Sequence, residues 1–91
     1  PLSHRVAQVS GINLEVTPSV IEWQVGPCLG LAAADELWLS RYIFCRIAER
    51  IGARPCFQPK PLGEDGDGVG CHTNFSTAAM RREGGYSAVL E

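Results

Sequence analysis

No apolar run in this chain approaches membrane-spanning length, and its opening residues, Pro1-Leu2-Ser3-His4-Arg5, carry neither the apolar stretch nor the small-residue cleavage site of a secretory signal. A membrane is therefore not an expected partner. Basic clusters are missing as well. Eight Lys and Arg against ten Asp and Glu leave a formal charge of -2, with a pI near 5.6. No Lys or Arg run interleaves with aromatic residues to neutralise phosphates, so nucleic acid is not an expected partner either. The four cysteines, Cys28, Cys45, Cys56 and Cys71, lack C-x-x-C spacing. They fit neither a zinc or redox motif nor the disulfide-dense scaffold of a small secreted domain, and they point to reduced thiols in a cytoplasmic compartment, an organellar form remaining open. Neither the G-x-x-x-x-G-K-[ST] phosphate loop nor the G-x-G-x-x-G dinucleotide spacing is present. An initiating Met is also absent, which agrees with excision from a longer polypeptide or with processing, and we read the chain as an internal piece.

What is present is the composition of a folded protein: 45 % hydrophobic and 20 % charged residues. Ninety-one residues allow one small domain with a thin core. From Arg5 to Val16, β-branched residues mixed with polar ones favour a strand, interrupted at Ser10-Gly11 and broken by Thr17-Pro18-Ser19. Val20 to Val25 alternates, with Ile21, Trp23 and Val25 on one side and Glu22 and Gln24 on the other, as the period of two in a strand requires. Ala33 to Ile51 reads as a helix, with Asp35 and Glu36 near its positive end, Arg46 and Arg50 near its negative end, and Gly52 as its stop. Leu37, Phe44, Ile47, Ala48 and Ile51 share one helical face, while Trp38, Leu39, Tyr42 and Ile43 spread apolar surface elsewhere, so the helix is expected to pack on more than one neighbour. Short strands are expected around Cys56-Phe57-Gln58 and over Cys71 to Thr77, flanking an acidic, glycine-rich loop at 62–70. A short helix through Met80 to Glu83, capped by Thr77 and stopped by Gly84-Gly85, would follow.

Three side chains could do chemistry. Glu15 and Glu22 sit at the ends of two strands joined by a proline-containing break, so paired strands would bring both carboxylates to one face. Two hard oxygen donors suit magnesium or manganese, although spacing alone also allows two solvated surface charges. His72 follows the glycine loop, where an imidazole could ligate a metal or contact phosphate, or be a structural histidine. Asp65-Gly66-Asp67-Gly68 is not a calcium loop, because the next acidic position is Val69 and the closing glutamate position is Ser76.

Three blocks carry a resemblance: Gly11-Ile12-Asn13-Leu14-Glu15-Val16-Thr17-Pro18, Glu22-Trp23-Gln24-Val25-Gly26-Pro27-Cys28, and Gly68-Val69-Gly70-Cys71-His72-Thr73-Asn74-Phe75-Ser76-Thr77. With Asp35-Glu36-Leu37-Trp38 and Phe57-Gln58-Pro59-Lys60-Pro61 between them, their order and spacing resemble eukaryotic-type glutamine synthetase over nearly the whole chain. The resemblance implies an α+β fold, a curved antiparallel sheet with helices packed on its outer face, of which residues 1–91 are an incomplete catalytic domain. It implies a glutamate-ammonia ligase in which ATP phosphorylates the side-chain carboxylate of L-glutamate and ammonia displaces the phosphate. By the same resemblance Glu15, Glu22 and His72 would hold Mg2+ or Mn2+. Glu22, Gln24, Asn74, Phe75 and Ser76 would meet the nucleotide, Asp67 and Gly68 would meet glutamate, and the subunits would form a homo-oligomeric ring.

The departures from the family pattern are specific. Asp67 replaces the usual Asn before the loop glycine, Asp65 a tryptophan, Ile21 a tryptophan, Trp23 a phenylalanine and Leu29 a glutamate. They motivate an alternative, a non-catalytic glutamine-synthetase-like structural or binding protein. The family's upstream glutamate-bearing strand, its downstream arginine-rich segment, a further metal-binding glutamate and its N-terminal β-grasp domain have no counterpart in these residues. The 91 residues are therefore expected to be inactive in isolation, with no complete catalytic set.

Overall fold

The computed structural model describes residues 7–64, 66 and 68–90. Strand β1 (Val9–Leu14) and strand β2 (Ile21–Val25) form an antiparallel hairpin, followed by helix α1 (Ala32–Arg50) and a 3-10 helix (Gly85–Val89). Cross-strand partners are Gly11 with Gln24, Ile12 with Trp23, Asn13 with Glu22, and Leu14 with Ile21, and the register shifts between Val9 and Gly11. Side chains alternate along a strand, so Gly11, Asn13, Glu22 and Gln24 share one face while Ile12, Leu14, Ile21 and Trp23 share the other. Residues 15–20 close the hairpin. Glu15 N donates to Val20 O at 3.0 Å, Val20 N donates to Thr17 O at 3.2 Å, and Ser19 takes a left-handed φ of 67°. The proline-containing break expected at 17–19 is this turn.

Helix α1 begins and ends within one residue of the expected bounds. Asp35 lies in its first turn and Arg50 in its last, each favourable to the helix dipole. At the C-terminus Gly52 (φ 73°) donates to Glu49 O at 3.3 Å and Ala53 N donates to Ala48 O at 2.9 Å. That pair of bonds is the Schellman arrangement, which needs a left-handed residue and so favours glycine at this position.

Trp23 joins the helix to the hairpin. Its ring stacks on Phe44 with centroids 5.4 Å apart and planes 5° from parallel, and it meets Phe57 edge-on at 6.1 Å. Its Nε1 donates to Ser40 Oγ at 3.0 Å, and that hydroxyl donates to Leu37 O at 2.7 Å. A second tie comes from Glu36, whose Oε2 accepts from Gln8 N at 2.9 Å. Arg41 carries its guanidinium carbon 5.4 Å from the Trp38 ring centre and 5.0 Å from that of Phe57, linking the helix to the segment that follows it. Among the described residues only Ala7, Gly26, Ser40 and Ala48 are buried, and large apolar side chains such as Val16, Trp38 and Tyr42 stand in solvent. The core is thin, as the chain length requires, so each aromatic contact carries a large share of the total.

The expected strands over 54–60 and 71–77 are not formed; both segments are irregular. Pro55, Pro59 and Pro61 supply no N–H groups, so the two segments cannot build a ladder. The first of them is bonded instead to the glycine-rich loop, where Val69 N donates to Pro59 O at 2.8 Å. The short helix expected through Met80 to Glu83 is a series of turns. Met80 N donates to Thr77 Oγ1 at 3.2 Å, the capping bond that Thr77 was expected to make, but no helix propagates from it. Gly84 (φ 73°) instead opens the 3-10 helix.

Replacing Trp23 by Ala removes the stack, the edge contact and the Ser40 bond together, and is expected to cost about 2–3 kcal/mol. Trp38→Ala, at a position 68 % exposed, should cost less than about half of that. Urea unfolding followed by far-UV circular dichroism compares the two, and equal losses would contradict the central place given to Trp23.

Candidate functional site

The polar face of the hairpin gathers the acidic side chains. Glu15 follows Gly11 and Asn13 at the same period of two, and the Asn13–Glu22 pairing sets Glu22 opposite. Asn13 Nδ2 donates to Glu15 Oε1 at 3.0 Å and to Glu22 Oε2 at 3.2 Å, so one amide spans both carboxylates. Gln24 Nε2 donates to Asn13 Oδ1 at 3.0 Å. Gln24 lies over Gly11, where an added Cβ would collide with its Oε1, so the glycine is what admits this side chain. The hydrogen bond with the Glu15 carboxyl, and then those with the Asn13 and Gln24 amides, hold the Glu22 carboxyl below the usual glutamate value. Burial opposes this slightly, and the charge of His72 adds to it.

The electrostatic effect of His72 on Glu22 brings the third expected ligand into the same neighbourhood. Its ring lies back over Gly70, where a Cβ would stand 3.3 Å from Nε2 and Cδ2. Among the described residues, however, no three His, Cys, Asp or Glu side chains are grouped closely enough to hold a metal ion. The donor chemistry of the carboxylate pair fits a hard divalent cation, and the set around it is incomplete.

The other expected site residues lie along the later chain. Asn74, Phe75 and Ser76 are exposed, Phe75 by 81 %. Arg81 Nη1 donates to Ser76 O at 2.7 Å and to Ser76 Oγ at 2.8 Å, fixing the end of that run. Gly68 is exposed next to Pro59 O, and Asp67, like Asp65, lies outside the described residues. On the opposite, apolar face of β2 a groove of about 460 Å³ opens between Ile21, Trp23, Arg41, Phe57 and Val69. Residue reasoning passed over Asn13, Gly11 and Arg81. The signal for the first two was available in the period of two that links positions 11, 13 and 15.

Residues 2–86 match the family model described as glutamine synthetase, catalytic domain. The chain belongs to the glutamine synthetase catalytic-domain family. It is 58 % identical over 81 residues to the glutamine synthetase of Yarrowia lipolytica, covering 89 % of this chain and 22 % of that protein. It is 57 % identical over 81 residues to the glutamine synthetase of Agaricus bisporus, covering 89 % of this chain and 23 % of the relative. For the glutamine synthetase of Tuber borchii the figures are 54 % over 84 residues, covering 92 % of this chain and 24 % of the relative. The chain thus spans less than a quarter of the length of these glutamine synthetases.

A carboxylate held below its ordinary value contributes stability that is present above that value and is lost as pH falls through the depressed one. Glu22→Gln should therefore lower the chain's stability somewhat near neutrality, flatten its fall below about pH 4, and converge with the wild type at low pH, where Glu22 is protonated. Thermal melts across pH 2 to 7 check this, and an unchanged acid slope would show that Glu22 is not the depressed group.

Proposed function

We propose that this chain supplies part of the cation and nucleotide site of an ATP-dependent glutamate-ammonia ligase. The observation that carries the reading is the carboxylate pair Glu15 and Glu22, spanned by one amide on a hairpin of a glutamine synthetase catalytic domain. In this reading Glu15, Glu22 and His72 hold Mg2+ or Mn2+, and the incomplete donor set is filled by groups from the rest of the enzyme. A cation held by these residues would supply positive charge to neutralise phosphate oxygens; the ligase reaction itself is transfer of the γ-phosphoryl group of ATP to the glutamate side chain, releasing ADP, and displacement of phosphate from γ-glutamyl phosphate by ammonia. The residues themselves bind and orient. The two carboxylates offer hard oxygens on one face, Gln24 and the exposed Asn74-Phe75-Ser76 run meet the nucleotide, and Asp67 and Gly68 meet L-glutamate. Phe75 offers a ring on which a base can stack, and Arg81 keeps the adjoining Ser76 in place.

The hairpin with α1 on its apolar side belongs, in this proposal, to a curved antiparallel sheet with helices on its outer face, within a homo-oligomeric ring. The four cysteines, none of them in a disulfide, suit a cytoplasmic setting. No helix among the described residues is long and apolar enough to cross a membrane.

A second reading, a non-catalytic glutamine-synthetase-like structural or binding protein, draws support from the lack of a three-ligand cluster among the described residues and from Asp67, Ile21 and Leu29. One experiment separates the two. The matched residues of this chain replace their counterparts in the Yarrowia lipolytica glutamine synthetase, and phosphate release dependent on glutamate, ammonia and ATP is measured. The ligase reading expects activity that Glu22→Ala lowers on the order of 100-fold or more, since loss of a metal ligand exceeds the ~10–100-fold typical of outer-shell losses. A folded chimera with no activity above its Glu22→Ala version supports the non-catalytic reading. The 91-residue chain alone should release no phosphate.

A further inference from the structure

We propose that Asn13 is a positioning residue, whose side-chain amide holds Glu15 and Glu22 in the orientation in which they receive a divalent cation; this rests on the cation reading above. The hydrogen bond between the Glu15 and Glu22 carboxyls needs one of them protonated; when both are ionised, as a cation requires, they repel and, with three rotatable bonds each, would turn apart in solvent. Asn13 Nδ2 opposes that by donating to both, at 3.0 Å to Glu15 Oε1 and 3.2 Å to Glu22 Oε2. The amide engages one named oxygen of each group. A carboxylate has two oxygens and about four lone-pair sites, so an amide contact and a cation contact do not compete for the same electrons. Carboxylates that bind metals are themselves hydrogen-bonded in this way, and the outer partner sets their direction.

The direction of the amide is fixed from behind. An asparagine side chain has a donor end and an acceptor end, and only one orientation is useful to two carboxylates. Gln24 Nε2 donates to Asn13 Oδ1 at 3.0 Å, which turns the acceptor end away and leaves the Nδ2 end facing Glu15 and Glu22. Gln24 can reach this place because Gly11 beneath it lacks a Cβ. Gly11, Gln24 and Asn13 therefore form a relay from backbone to carboxylates, all on the polar face of the hairpin and all set by its register.

The test uses the 91-residue chain and Mn2+ alone, titrated into the millimolar range and read by water-proton relaxation, for the wild type, Asn13→Ala and Gln24→Glu. Asn13→Ala is expected to bind Mn2+ about 10-fold more weakly. Gln24→Glu adds a negative charge near the site, yet its carboxylate only accepts, so the Asn13 amide turns round and presents Oδ1 to the glutamates. Weaker binding by Gln24→Glu is therefore expected as well. Wild-type affinity in Asn13→Ala, or tighter binding in Gln24→Glu, would overturn the proposal and show that summed charge alone matters. A cation-free measurement accompanies it. Side-chain three-bond couplings should report single rotamers for Glu15 and Glu22 in the wild type and averaged ones in both variants, with the backbone amide shifts of Ile12 and Trp23 unmoved as proof of an intact hairpin. Averaged rotamers in the wild type overturn the role of Asn13 whatever the cation does. Single rotamers without Mn2+ uptake overturn the cation reading instead, and the couplings of the variants then decide whether Asn13 is the clamp.

Discussion

The pairing of Asn13 with Glu22 across the hairpin is the constraint on which the site depends. Strand side chains alternate, so a slip of one residue between β1 and β2 would send Asn13 and Glu22 to opposite faces and separate the carboxylates. Register is held at several points at once. Trp23, the neighbour of Glu22, is tied to Ser40 and stacked on Phe44 of α1, while the turn at 15–20 closes one end and the irregularity beside Ser10 marks the other. The aromatic contact on the apolar face thus fixes the position of the acidic group on the polar face. Core and site are two sides of one strand.

The hairpin and α1 were legible in the sequence because each states its geometry locally. Ile21, Glu22, Trp23, Gln24 and Val25 alternate without interruption, and Asp35, Arg50 and Gly52 mark a helix by its charges and its stop. The segments at 54–60 and 71–77 were misread as strands because Cys56-Phe57-Gln58 and the Cys71 to Thr77 run have strand-like composition. A strand also needs partners that can donate, and three prolines within seven residues (55–61) remove them. Glu15 and Glu22 were legible as a pair from the same alternation that gave the strands. Asn13 was not, since asparagine is depleted in strands and looks like a neutral filler between two apolar residues. The effect of His72 on Glu22 could not be read from spacing at all, because they are brought near each other by the path of an irregular chain rather than by a periodic element.

Stability and chemistry are unevenly distributed along the chain. Residues 9–52 hold the regular hairpin and α1, together with the ring contacts of Trp23, whereas the described residues of 54–90 are mostly irregular. Phe57 is the exception, reaching back to Trp23 and Arg41. Through that contact and the single Val69 to Pro59 bond, the loop and His72 are anchored to the hairpin. Local opening is easiest where backbone bonds are few and exposed, so the part of the chain that carries Asn74, Phe75 and Ser76, proposed above to meet a nucleotide, is also the part least bound to the core. A loop that must admit a ligand gains from that arrangement, while the paired carboxylates, which must be waiting in place, sit on the rigid element.

The choice of an amide between the two carboxylates follows from what the other side chains would do there. A lysine would attract both glutamates more strongly, but its charge would neutralise the pair and repel an incoming cation. A serine has one donor and could satisfy only one carboxylate at a time, and an aspartate, when ionised, would add repulsion to a pair that already repels. An asparagine is neutral, carries two N–H groups on one nitrogen, and keeps an acceptor at the other end by which it can itself be oriented. It reduces the cost of holding two negative groups side by side without removing their charge. The depressed value of Glu22 arises first from its hydrogen bond with the Glu15 carboxyl and then from the Asn13 and Gln24 amides, none of which is a cation in direct contact.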